Sequence, residues 1–346
     1  MQRRVNMSDI AKALGVSKNT VSLALRHDPQ IPQSTRERVS RVADEMGYRA
    51  NPVVSELMVR LRASQSERFK AKLAILNANN AKDALKSHPT LPEYVKGCNR
   101  RAEKLGYSID EFWLYESGLT TERLRDILLS RGIRGIIIVG LMKTNVLPDR
   151  FSALWQEFPS VVTGVRTHHP TFSFCCVDHY SLAMEAVSKA IELGYKRPGM
   201  VLDPKIHSLV DGRFASGFHH GMESKLGKSE DCVLFDEQTS SRPSPLFTNW
   251  LKTRRPDVVL TLYNQPLHWL EQLGYSIPEH IGVIQMEWRS TRPHIAGMHQ
   301  HNDLTGEAAV DTLINQIHNN ERGVPGNPRA TLIAATWKPG ATIRTV

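Results

Sequence analysis

The sequence predicts a small all-α headpiece followed by a longer α/β core. Three observations carry this reading. Residues 8–25, SDIAKALGVSKNTVSLAL, spell two short amphipathic helices on a tight turn. Basic charge is concentrated near the start of the chain. From Leu73 onward short apolar runs alternate with helical stretches, the pattern of parallel sheets covered by helices.

In the headpiece, Ser8 reads as the N-cap of the first helix, and Ile10, Ala11 and Leu14 form its apolar stripe. Gly15 ends it as a residue that tolerates positive φ, and Val16 fills the corner. Ser17 caps a second helix that turns Val21 and Leu25 inward and Lys18, Asn19 and Ser22 outward. Two helices on so short a turn make a helix-turn-helix, whose second helix enters a DNA major groove in such modules. A third helix runs from Gln33 to Met46, entered through Pro32 and stopped by Gly47. Asn51 as N-cap and Pro52 at the first helical position then start a short fourth helix through Met58.

Composition supports the division. The chain has 346 residues and a formal net charge of +9. Residues 1–72 hold 14 Lys/Arg against 7 Asp/Glu, a net of +7, and the rest holds 30 against 28, a net of +2. The excess therefore sits where a phosphate-binding surface belongs. The cysteines Cys98, Cys175, Cys176 and Cys232 show neither metal-ligand nor C-x-x-C spacing, and reduced thiols fit the cytoplasm. No apolar run is long enough for a membrane span, and the N-terminus lacks the apolar core of a signal peptide.

Residues 59–72 read as a charged linker. Candidate core strands are Leu73–Leu76, Ile136–Val139, Ser160–Val162, Gly199–Leu202, Val258–Leu262 and Ile281–Ile284. Helices are expected at 93–105, 120–131, 178–193, 213–226, 265–273 and 303–318. These are too many elements for one ordinary sheet, so two parallel units are expected.

Other patterns carry less. Gly221-x5-Gly227-Lys228-Ser229 nearly spells a phosphate loop, but it has one residue too many and closes a helix instead of opening one. It reads as a helix C-cap followed by a polar turn. His294, His299 and His301 cluster without a carboxylate or cysteine partner at useful spacing, so a structural or ligand-contact role is expected over a metal site. No nucleophile–base motif is present, and neither an enzyme nor a cofactor is expected.

From about residue 5 to 62 the chain resembles the headpiece and hinge of the lactose-repressor (LacI) family of bacterial transcription regulators. The resemblance rests on Ile10-Ala11, Ala13, Gly15-Val16-Ser17, Thr20-Val21-Ser22, Leu25, Thr35-Arg36, Val39, Gly47-Tyr48 and Asn51-Pro52, in the family's order and spacing. The remainder resembles the family's effector-binding core more loosely. It implies two doubly wound parallel-sheet subdomains, similar to periplasmic binding proteins, with a ligand between them. The expected boundaries are a headpiece over 1–50, a hinge helix and linker over 51–72, and a core over 73–346. Within the core, one subdomain takes 73–176 and 302–330, and the other takes 177–300 and 331–346, with crossings near Val177, Gln300-His301 and Thr331. The chain lacks the C-terminal helix that makes some members tetramers, so a homodimer on a pseudo-palindromic DNA operator is implied.

For DNA, the resemblance and groove chemistry together nominate Lys18 and Asn19 as base readers, with Ser22 weaker. Leu23 stands where many members carry an arginine, so apolar contact with a thymine methyl is expected instead. Asn6, Ser17, Arg26, Arg36 and Tyr48 are expected at phosphates. Asn51 opens the hinge helix, and Leu57 matches the wedge that enters the minor groove. For the effector, a small polar molecule such as a sugar, the family positions fall on Pro89, Thr90, Leu91, Asp178, Asn264, Glu287, Trp288 and Gln300. Phe214 stands where an arginine is usual, with Arg213 one place off, and Val165 replaces a usual aspartate. Two rival readings differ in class: an architectural DNA binder without effector, and a small-molecule binding module whose headpiece is vestigial.

Overall fold

A computed structural model describes residues 5–25, 28–48, 71–227 and 232–344. Arg26, the hinge with Asn51 and Leu57, and Lys228-Ser229 lie outside the described residues.

Three helices build the headpiece: α1 (Met7–Leu14), α2 (Lys18–Leu25) and α3 (Gln33–Glu45). Their inward faces meet in a core of Ile10, Ala11, Val21, Ala24, Val39 and Ala43, with Leu14, Leu25 and Tyr48 packed at its edge. The N-cap of α1 is Asn6, not Ser8. Asn6 Oδ1 accepts from the Ser8 and Asp9 amides, and Asp9 Oδ2 accepts from the Asn6 amide at 2.9 Å, a reciprocal capping box. Ser8 falls inside the first turn. Gly15 closes α1 at φ 65, and Ser17 Oγ accepts from the Thr20 amide at 3.0 Å to cap α2.

The core holds two six-stranded sheets, with strand orders β11-β5-β4-β3-β1-β2 and β12-β10-β9-β8-β6-β7. The first comprises β1 (Ala71–Asn77), β2 (Tyr107–Trp113), β3 (Ile133–Val139), β4 (Ser160–Thr163), β5 (Ser173–Val177) and β11 (Ala330–Ile333), and all its pairings are parallel. The second comprises β6 (Pro198–Leu202), β7 (Val233–Phe235), β8 (Val258–Thr261), β9 (Gly282–Gln285), β10 (Gly297–His299) and β12 (Thr336–Lys338). Only its edge pair β10/β12 is antiparallel. Strands β3, β4, β5, β6, β8 and β9 are almost wholly buried because helices cover both faces, which is why they read as continuous apolar runs.

The helices on the first sheet are α4 (Ala84–Ser87), α5 (Leu91–Lys104), α6 (Thr121–Ser130), α7 (Ser152–Glu157) and later α13 (Asn302–His318). The second sheet carries α8 (His179–Glu192), α9 (Pro204–Leu209), α10 (Arg213–Leu226), α11 (Pro245–Arg254) and α12 (Gln265–Gln272). The chain leaves the first sheet after Val177 and returns after His299. It leaves again after Ile333, so the third crossing lies at 334–335 and not at Thr331. Strand β1 likewise starts at Ala71, two residues inside the segment expected as linker.

Each subdomain has one close helix pair made possible by glycine. A Cβ on Gly97 of α5 would lie 1.8 Å from the Asp303 carbonyl oxygen, and one on Gly306 of α13 would lie 2.1 Å from that of Tyr94. In the other subdomain a Cβ on Gly217 of α10 would lie 2.1 Å from the Tyr180 carbonyl oxygen of α8. Gly221 packs on Met184 and Val187 in the same pair, whereas Gly227 at φ 64 is the C-cap. The near-phosphate-loop spelling is thus a packing glycine and a helix end.

Candidate functional site

Two places in the molecule have the chemistry of a site. The first is the outward end of α2. Lys18 and Asn19 are exposed in its first turn, beside exposed Ser17, while Val21 and Ala24 on the opposite face are buried. Ser22 and Leu23 are half-buried at the edge of that surface. Arg36 is half-buried on α3. Tyr48, tied to the Ala43 carbonyl through its amide at 2.9 Å, follows the end of α3. Asn6 is exposed at the start of α1, with its Oδ1 already engaged in the capping box. The described DNA candidates thus fall at the helix ends of one small bundle.

The second is a cleft of about 240 Å³ between the two sheets, at the carboxyl ends of their strands. A larger concavity of about 420 Å³ near Trp113 is lined by the first subdomain alone. In the cleft, Leu141 and Met142 follow β3, Thr163 and Val165 bracket the end of β4, and His179 follows β5. From the other side come Leu262, Tyr263 and Asn264 after β8, and Glu287, Arg289 and Arg292 after β9. Pro89, Thr90 and Tyr94 enter from the start of α5, and Gln300 from the second crossing.

Polar groups there are heavily cross-linked. Glu287 accepts from Thr90 Oγ1 at 2.8 Å and Asn302 Nδ2 at 3.2 Å, and pairs with Arg289 Nη2 at 2.9 Å. Arg289 also donates to the Pro89 carbonyl and to Thr90 Oγ1. Asn264 Oδ1 accepts from Gln285 Nε2 at 2.8 Å, and Gln300 Nε2 donates to the Met286 carbonyl at 2.8 Å. His88 Nδ1 accepts from the Thr90 amide at 3.1 Å. Burial, and then the neighbouring Arg289, lower the His88 pKa. Burial and then Arg213 hold His179 down to about 3, so its imidazole is neutral at pH 7. Burial, reinforced by Asp203 and Glu287, pushes the Tyr263 phenol up to about 12. Burial raises Tyr94 further, with Glu287 adding to it. Both phenols are therefore neutral hydrogen-bonding groups.

The structure puts five of the expected effector positions on the cleft wall: Pro89, Thr90, Asn264, Glu287 and Gln300. Four others are corrected. Leu91 is wholly buried in the core beneath α5. Asp178 caps α8, with Oδ1 accepting from the Ser181 amide and Oδ2 from the Ser181 hydroxyl. Trp288 is not among the residues lining the cleft; its ring lies edge-on to His299 with centroids 5.3 Å apart and with Lys338 Nζ over it. Arg213 stands behind the wall, donating from Nε to the Val210 carbonyl and from Nη1 to Cys176 Sγ. Sequence reasoning missed Tyr94, Tyr263, Arg289 and Arg292. The arginines carried a signal, since Arg289 directly follows Glu287-Trp288 and Arg292 lies three residues further on.

His299 ends β10 and His301 precedes α13 at φ 52, with ring centroids 4.1 Å apart. His301 also lies 2.8 Å from Thr336 Oγ1. Among the described residues no three His, Cys, Asp or Glu side chains group as a metal site, and no helix is long and apolar enough to cross a membrane.

Comparison with known proteins agrees with both halves. Residues 6–51 match the model of bacterial regulatory proteins, lacI family, and residues 187–343 match a periplasmic binding protein-like domain. The chain is 24% identical over 326 residues to the HTH-type transcriptional regulator MalR of Streptomyces coelicolor, covering 90% of each chain. It is 22% identical over 330 residues to the regulator CelR of Thermobifida fusca, covering 91% of this chain and 93% of CelR. Among solved structures it is similar to a CelR–cellobiose complex (TM-score 0.62, 20% identity, 98% and 100% coverage). It is also similar to the lac repressor dimer bound to operator and the anti-inducer ONPF (TM-score 0.56, 19% identity, 98% and 99% coverage). The chain thus joins a helix-turn-helix matching the lacI family of bacterial regulatory proteins to a periplasmic binding protein-like domain.

Proposed function

We propose that this chain is a transcriptional regulator that binds a two-fold symmetric DNA site as a homodimer and releases or tightens on it when a small polar effector fills the cleft. One observation carries the reading. A single chain joins a helix-turn-helix with Lys18 and Asn19 exposed on its second helix to a polar-lined cleft between two sheets. Lysine suits guanine O6/N7 and asparagine suits adenine N6/N7. The names of similar proteins support a carbohydrate effector, since one neighbour is a regulator held in complex with cellobiose. The wedge role of Leu57, the phosphate roles of Asn6, Ser17, Arg26, Arg36 and Tyr48, and action in the cytoplasm belong to the same proposal.

Selection of bound fragments from the source genome tests it, followed by titration of candidate sugars into the protein–DNA complex. Recovery of an inverted repeat whose affinity changes with a ligand is expected. Recovery of sequence-independent binding, unaffected by any ligand, would leave an architectural DNA binder instead.

A further inference from the structure

The charge of the cleft is not balanced. Its wall holds one carboxylate, Glu287, and two guanidinium groups, Arg289 and Arg292. Glu287 is saturated by Arg289, Thr90 and Asn302. Arg289 is saturated in turn by Glu287, Thr90 and the Pro89 carbonyl. Arg292 is held through its backbone, its amide donating to the Arg289 carbonyl at 3.0 Å, and among the described residues no carboxylate or carbonyl receives its half-buried side chain. A guanidinium that has shed water beside a second cation, with the one nearby carboxylate engaged elsewhere, is destabilised. Its pKa is lowered, by burial and then by Arg289, with Glu287 offsetting only part of this.

Two further observations point to an occupant. Gln285, only 2% exposed, and His179, 7% exposed, both line the cleft and leave Oε1 and Nδ1 without a partner. Buried polar atoms of this kind are ordinarily satisfied. The volume of about 240 Å³ falls below the usual range for drug-sized ligands and suits one sugar ring better than two. Leu141, Met142 and Phe214 supply apolar wall for its face.

We infer that the effector is an anionic, single-ring sugar derivative, a sugar acid or a sugar phosphate, whose charged group is received by Arg292. This rests on the reading of the cleft as the effector site. Arg292 presents a planar donor fork suited to carboxylate or phosphate, and the pairing of Glu287 with Arg289 keeps that carboxylate from neutralising it. Such a ligand differs in charge and size from cellobiose, a neutral disaccharide.

The test uses the full chain and matched pairs at constant ionic strength: glucose against glucuronate and glucose 6-phosphate, galactose against galacturonate, and ribose against ribose 5-phosphate. Melting temperature and titration calorimetry are the readouts. At least one anion should bind where its neutral parent does not, the carboxylate and phosphate arms telling which group is read. Arg292→Gln should weaken that anion by roughly ten- to hundredfold, as expected for loss of a charge-assisted hydrogen bond, and Arg292→Lys should fall between. The unliganded variants should melt no lower than the parent, because the side chain they change holds no other element and Arg292→Gln removes an unfavourably placed charge. Equal binding of the neutral parent, or an anion Kd unchanged in Arg292→Gln, overturns the inference and leaves the effector cleft standing. If no member of any pair binds, both the inference and the sugar reading of the cleft fall.

Discussion

Thr90 Oγ1 donates a 2.8 Å hydrogen bond to Glu287 Oε1, and the two residues belong to opposite subdomains. This contact, with Arg289 reaching back to Thr90 and the Pro89 carbonyl, latches the cleft across its width. The residues that hold the two subdomains together are therefore residues that line the ligand space.

A double-mutant cycle measures the latch. Thr90→Val and Glu287→Gln should each lower stability, with a coupling of about 1–3 kcal/mol, the range for a hydrogen bond to a charged acceptor. Denaturant unfolding of the four proteins provides the numbers. Additive effects would show that the two side chains do not interact in solution.

Asp178→Ala separates capping from binding. Loss of the α8 N-cap should cost about 1 kcal/mol, a fall of about 2–4 °C in melting temperature. Ligand affinity should stay within about twofold, since Asp178 turns its carboxylate to Ser181 rather than to the cleft. A large loss of affinity in a folded variant would return Asp178 to the site.

Gly97→Ala and Gly306→Ala should each destabilise the first subdomain by about 1–3 kcal/mol through overpacking, although alanine has the better helix propensity. The comparison is with Gly326→Ala, where an added Cβ meets nothing within 4 Å. Equal melting temperatures for all three would contradict the close α5/α13 packing.

Acid should weaken the fold through His179. Its folded pKa, about 3, lies below the ordinary value of 6.5, so the unfolded chain binds more protons between these limits. Stability from this residue is complete above about pH 6.5 and falls as pH drops toward 3. The loss between pH 7 and pH 5 is about 2 kcal/mol at 1.36 kcal/mol per pH step. Unfolding free energies of the parent and His179→Gln at both pH values check this, with a flatter profile expected in the variant.

On DNA, Lys18→Ala and Arg36→Ala should behave differently. Lys18→Ala should cost about 1–3 kcal/mol on the preferred site and relax base preference. Arg36→Ala should weaken all sequences alike and reduce the salt slope by about one. Gel shifts on operator and random DNA at several salt concentrations distinguish the two, and identical effects would refute the separate roles.

What the sequence revealed depended on burial. β3, β8 and β9 were legible because both faces are covered and their buried runs are mostly apolar. β2, YSIDEFW, was not, because it lies at a sheet edge and mixes exposed charge with half-buried rings. β7, β10 and β12 are three residues each, too short for any period to register. In the headpiece, Asn6-x-x-Asp9 was the true cap pattern, and Ser8 only its neighbour. In the cleft, Thr90, Asn264, Glu287 and Gln300 were reached through the family resemblance, each falling in a stretch that matches a family position. Tyr94 and Tyr263 converge from distant segments and have no local signature. Asp178 caps α8 where a sequence rule favoured that role, since aspartate directly before a helix is a preferred N-cap.

The late crossing at 334–335 gives the final stretch of chain a role in assembly. β11 completes the first sheet beside β5, and β12 completes the second beside β10. Beyond them Thr342 bonds to both Val283 and Ala296, and the Arg344 amide donates to Tyr195 Oη. On the ribosome, neither lobe can close its outermost ladder until this shared segment has emerged. The two lobes thus mature together, and a chain broken before Ala330 leaves both with a bare edge.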